Sequence, residues 1–165
     1  MNKNEIKMID LLKRLKDEYG VIEVKAEYEN EGSRTDELTR LKDVVSAADL
    51  PIIIKIGGVE AITDIYNAII LGARGIVAPM AETKFAVSKF IKGVRNFVAS
   101  DNQESIDFAI NIETITSYNN IDEILSYEDI SLFTKTTSLL FANPLFNERQ
   151  LEKIIPIFIA IPWGT

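Results

Sequence analysis

Four ionisable residues stand at the ends of apolar runs, and their types limit what chemistry the chain could do. Glu27 closes VIEVKAE at 21–27, Lys55 interrupts PIIIKIGG at 51–58, Glu82 follows GIVAPM at 75–80, and Glu113 ends DFAINIE at 107–113. Carboxylates in such places can ligate a hard cation or hold a proton. A lysine inside an apolar run can neutralise an anion or, with its pKa lowered, attack a carbonyl as an amine. The chain has no histidine and no cysteine. Serine–histidine triads, histidine zinc sites, thiolate chemistry and disulfides are therefore excluded together.

Each of these residues also has a plain structural reading. Glu113 could be an acid that happens to follow a strand. Lys55 could run its stem along apolar surface while its ammonium reaches water. Glu82 lies where a helix begins, so it could meet the helix dipole. Gly57 and Gly58 let the backbone turn sharply, with close approach to a ligand as the second reading. Glu29 and Glu31 read as a solvated loop after the first strand.

The elements that must position these residues alternate. Residues 4–19 are amphipathic at helical spacing and stop at Gly20. Strands are predicted at 21–27, 52–56, 75–79 and 107–113. Helical periods fill 34–48, 59–71 and 84–98, and another helix begins at 121. Strands recurring with a helix between each pair are the mark of a parallel sheet with βαβ crossovers. No Gly-rich phosphate loop follows the first strand, which leaves a dinucleotide fold without support. The remaining common architecture is the (β/α)₈ barrel, whose sites lie at the C-terminal strand ends. All four predicted strands carry an ionisable residue at or just beyond the C-terminal end.

At 165 residues the chain is expected to form a single domain, 1–165. Its apolar share of 47% and charged share of 26% are those of a globular protein. A net charge of −7 disfavours binding to nucleic acid or to anionic membranes. Charges interrupt every apolar run near the N-terminus, so it does not read as a signal peptide, and the expected location is the cytoplasm.

The segments YGVIEVKAEY, PIIIKIGG, LGARGIVAPMAET and INIET, in this order and spacing, resemble the HpcH/HpaI aldolase and citrate lyase β-subunit family. The resemblance covers about residues 20–125. It implies a pyruvate- or phosphoenolpyruvate-type TIM barrel and a carbon–carbon lyase working through a metal-stabilised enolate. The implied cofactor is Mg²⁺ or Mn²⁺. The implied ligand is a small keto acid or an acyl-CoA-type thioester, and a homo-oligomer is expected. By position, Glu113 falls on the family's first metal carboxylate. Lys55 falls where the family has an arginine that grips the keto acid, and Glu27 on a pocket glutamate. Tyr28 falls where many members have histidine. Gly57, Gly58 and Glu82 are taken as substrate-binding.

The resemblance stops short. The second metal ligand, an aspartate in a fifth-strand G-x-x-D-L pattern, is not found after SYEDI. A full barrel needs about 250 residues. The expectation is an α/β fold holding a partial, C-terminally truncated barrel over 20–130, with an atypical tail over 135–165. That tail is rich in Phe, Ile and Pro, without clear βα alternation. With the second metal carboxylate and the later strands missing, the lyase is expected to be impaired, turning over slowly or not at all. Two alternatives to it stay open: a Schiff-base aldolase using Lys55, and a half-barrel without catalysis.

Overall fold

The computed structural model describes residues 1–29, 32–103 and 105–127, together with the backbone of 132–135 and 154–155. Helix α1 (Lys3–Tyr19) opens the chain. The pairs β1 (Val24–Glu27) with α2 (Thr35–Ala47), β2 (Ile52–Lys55) with α3 (Ile62–Ile70), and β3 (Gly75–Ala78) with α4 (Lys84–Phe97) follow. A short helix α5 (Ser100–Gln103) leads into β4 (Asp107–Ile112). Two further short helices, α6 (Ile115–Asn119) and α7 (Ile121–Ile124), lead on to β5 (Leu132–Lys135) and β6 (Ile154–Ile155).

All six strands are parallel, in the order β1-β2-β3-β4-β5-β6. The four strands expected from sequence are present and sequential. Two more continue the sheet, and β6 lies in the tail where the sequence offers no alternation. The rest of that tail lies outside the described residues.

Strands β2 and β3 are almost wholly apolar and buried along their whole length, as strands covered on both faces are. Alternation sorts the side chains. Val24, Ala26, Ile52, Ile54, Ile76, Ala78, Phe108, Ile110 and Ile112 pack into the main core with the helices. Ile53, Val77 and Ala109, one residue out of phase, form a separate buried cluster on the opposite face. With a period of two, Lys25, Glu27, Lys55, Asn111 and Glu113 belong to that second face.

Local signals explain the helix ends. Asn2 caps α1 by accepting the Asn4 and Glu5 N–H groups, and Glu5 closes the capping box. The Arg40 guanidinium from α2 pairs with the same Glu5 and docks the two helices. Gly20 ends α1 at φ 71°, a left-handed turn that a side chain would strain. Among the described residues, no helix is long and apolar enough to cross a membrane.

Candidate functional site

Register decides which charges meet. Glu27 and Lys55 are direct partners across β1 and β2, and adjacent strands lie about 4.8 Å apart. Their side chains form an ion pair of 3.2 Å, and Lys25 approaches the same Glu27 oxygen at 3.6 Å. Glu27 and Lys55 are each only 7% exposed, so the pair is shielded from water. Buried charges in such a place survive only when paired. Lys55 is thus neither a snorkelling lysine nor an isolated amine. It is one half of a buried ion pair.

Glu113 lies just beyond β4. Its Oε1 accepts the Met80 N–H at 3.0 Å and its Oε2 accepts from Asn111 Nδ2 at 3.2 Å. Asn111 stands two residues earlier on the same face and is 2% exposed. Met80 offers its N–H from a left-handed backbone, φ 53°. That conformation is costly for a non-glycine residue and concentrates at functional sites. Thr114 then caps α6 by accepting the Ser117 N–H. The carboxylate is therefore held by β3's exit on one side and by its own strand on the other.

These residues open on one cavity of about 340 Å³, lined by Glu29, Lys55, Ile56, Gly57, Pro79, Met80, Glu113 and Thr114. The size suits a small molecule. Its place at the C-terminal ends of β2, β3 and β4 is where a parallel barrel carries its site. Lys55, Gly57 and Glu113 come together as the sequence predicts, and Glu27 joins them through Lys55.

Three predicted residues do not line the cavity: Glu27, which stands behind Lys55, together with Glu82 and Gly58. Glu82 lies four residues past β3, on the way into α4. Its carbonyl accepts from Asn120 Nδ2 at 2.9 Å, and Thr83 caps α4 in its place. Gly58 faces open space, and its carbonyl accepts the Ala61 N–H in the turn before α3. Gly57 leaves room for a neighbouring side chain. A Cβ there would lie 2.5 Å from Glu29 Cγ. Its N–H donates to Asp64 Oδ2 at 2.8 Å. Glu29, Asn111 and Met80 were not singled out for this site by the sequence. Only Asn111 left a signal, its parity with Glu113.

The divalent cation implied by the resemblance can be tested against these donors. A hard cation takes six or more oxygens. Both Glu113 oxygens already accept N–H groups, and among the described residues no three acids are grouped to hold a metal. The residues present do not form a dedicated cage. The chemistry derived below rests on the side chains alone.

Tyr28 packs against the main core, with its hydroxyl buried and without a hydrogen-bond partner among the described residues. Burial, with the Asp64 charge adding to it, pushes the phenol up to about 12. It stays protonated and cannot substitute for a histidine base near neutral pH.

No protein-family model matches this chain, and no curated protein matches it. Solved structures do. The citrate synthase SbnG superposes with a TM-score of 0.65 at 18% identity, over 90% of this chain and 65% of that one. The HpcH/HpaI aldolase from Desulfitobacterium hafniense DCB-2 gives 0.61 at 15% identity, over 87% and 65%. KGPDC from Streptococcus mutans gives 0.53 at 14%, over 87% and 63%. The chain therefore spans about 65% of the length of the first two structures. At these identities the likeness establishes the fold, a partial (β/α)₈ barrel of the kind that the sequence motifs resemble. It does not choose the chemistry.

Proposed function

We propose that this chain works as a carbon–carbon lyase of the aldolase and citrate lyase kind, acting on a pyruvate-type keto acid or an acyl-thioester through an enolate. The observation that carries this reading is the meeting of Lys55 and Glu113 in one cavity at the C-terminal strand ends. The likeness to an HpcH/HpaI aldolase and to SbnG supports it.

The chemistry follows from charge. Cleavage of a 4-hydroxy-2-keto acid breaks the C3–C4 bond, leaves its electron pair on the pyruvate fragment as an enolate, and releases an aldehyde. The C4 hydroxyl proton must leave as the bond breaks. Glu113, fixed from two sides, is placed to accept it. The developing enolate oxygen needs a positive group, and the Lys55 ammonium is the cation that lines the cavity. Glu27 keeps that ammonium in position through their ion pair. A lysine presents a point charge where an arginine would present a fork, so it grips the ligand with less orientation.

The Schiff-base route uses the same lysine as a neutral nucleophile. The Lys55 nitrogen is engaged in its 3.2 Å ion pair with Glu27 instead of standing free to attack a carbonyl, which supports the enolate route. Incubating the protein with a 4-hydroxy-2-keto acid and following pyruvate release, in Mg²⁺ and in EDTA, tests the lyase reading. Borohydride trapping tests the route. Pyruvate release without a reduced adduct on Lys55 is expected; a stable adduct on Lys55 would overturn the enolate mechanism. No release under any condition would remove the lyase.

A further inference from the structure

The cavity carries a charge that the proposed chemistry does not use. Glu29 lies two residues beyond β1 and lines the cavity together with Lys55 and Glu113. Among the described residues, no hydrogen bond or ion pair engages its carboxylate. Its side chain lies directly over Gly57, since a Cβ there would fall 2.5 Å from its Cγ and 2.7 Å from its Oε1. A side chain at 57 would compete with the acid for this place on the cavity wall. The sum of nearby charges matters next. The Lys55 ammonium is paired with Glu27, a carboxylate that Lys25 shares, and Glu29 and Glu113 are the other ionisable groups among the lining residues. Glu113 is tied by Met80 and Asn111. Glu29 is the acid whose charge is not committed to a partner.

We infer that Glu29 is a charge filter at this cavity, selecting singly charged over doubly charged ligands. The inference rests on the keto-acid reading above and names the ligand class within it. A monoanionic 2-keto acid meets one repulsion from Glu29; a dicarboxylate meets it twice. At roughly 6 Å in a water-rich cavity mouth, one unit charge changes affinity by about threefold, and two charges by about tenfold. The effect is electrostatic, so salt weakens it.

Oxalate and oxamate separate charge from shape, because they are nearly isosteric and carry two charges and one. Calorimetric titration of both into the wild type and Glu29→Gln gives the test. Glu29 is solvent-exposed, so the substitution should leave the fold intact. The expected result is tighter binding to the variant, by about threefold for oxamate and about tenfold for oxalate, with both gains shrinking in 0.5 M NaCl. Equal gains for the two ligands would reassign Glu29 to packing and overturn the filter. Binding unchanged in the variant would overturn it while leaving the keto-acid site standing. Failure of both ligands to bind either protein would remove the site and the filter together.

Discussion

Removing the charge of Glu27 should be the most damaging single change at this site. Its carboxylate is bridged by Lys55 at 3.2 Å and by Lys25 at 3.6 Å. The side chains of the two lysines are 9% and 16% exposed. Glu27→Gln keeps the shape and takes away the negative charge that both ammonium groups approach. Breaking a buried pair from one side costs about 3–5 kcal/mol; the partial exposure of Lys25 argues for the lower end, about 3 kcal/mol. A domain holds only about 5–15 kcal/mol in total, so the loss would be visible at once. Lys55→Met is expected to cost less, about 1–2 kcal/mol, because Glu27 keeps Lys25. In the double variant the costs should not add, since the Lys55→Met change removes the buried cation that Glu27→Gln deprives of its carboxylate. Urea denaturation of the four proteins, followed by circular dichroism, reads all three quantities. A Glu27→Gln cost below about 1 kcal/mol, or a Lys55→Met cost equal to it, would refute the two-lysine account.

Tyr28→Phe should stabilise the protein by about 1 kcal/mol, because the hydroxyl is buried without a partner among the described residues; a loss of stability in thermal melts would mean that the hydroxyl is satisfied. Glu23 gives a pH signature. Burial first, and then the Asp107 charge, raise its carboxyl above the ordinary 4.5, with Arg74 opposing. A carboxyl raised in the fold favours folding below 4.5 and loses that contribution as pH rises through the elevated value. Glu23→Gln should therefore be more stable than the wild type at pH 7, with the gap closing below pH 4.5 in urea titrations; a gap that widens in acid would reverse the sign. Met80→Gly should relieve the left-handed backbone at φ 53° and raise stability by about 1 kcal/mol, while the Glu113 carboxylate keeps its backbone donor; a destabilised variant would show that the Met80 side chain outweighs its strained backbone.

Much of this site is written in short-range patterns. The runs PIIIKI and DFAINI are β-branched or apolar and bounded by turns, so β2 and β4 are legible from sequence, and counting by twos along them puts Lys55 with Ile53 and Glu113 with Asn111. Helix α1 ends at Gly20 as its spacing predicts. What could not be read depends on contacts between distant segments. The partnership of Glu27 with Lys55 is a matter of register between two strands separated by a whole helix. Glu29 is an exposed loop residue as its charge-rich stretch suggests, and that it also lines the cavity depends on where Gly57 lies. Met80 carries no turn-residue signal, since methionine is not a residue that favours a left-handed backbone. Glu82 misled because a strand-end acid and a pre-helix acid look alike until the strand's last residue, Ala78, is known. Strand β6 lies among prolines in an apolar run with no alternation, so periodicity had nothing to mark.

Enolisation is the smallest step that the proposed chemistry must perform, and deuterium exchange into the methyl group of pyruvate measures it directly by proton NMR. The wild type should lose the methyl signal in D₂O faster than buffer does. Lys55→Met should slow exchange by at least about 100-fold, as the loss of one group that stabilises the developing oxyanion does elsewhere, and Glu113→Gln should slow it by about 100-fold as a lost proton acceptor. Exchange at the buffer rate in the wild type, or exchange that survives both substitutions, would contradict the claim that Lys55 and Glu113 form an enolate site.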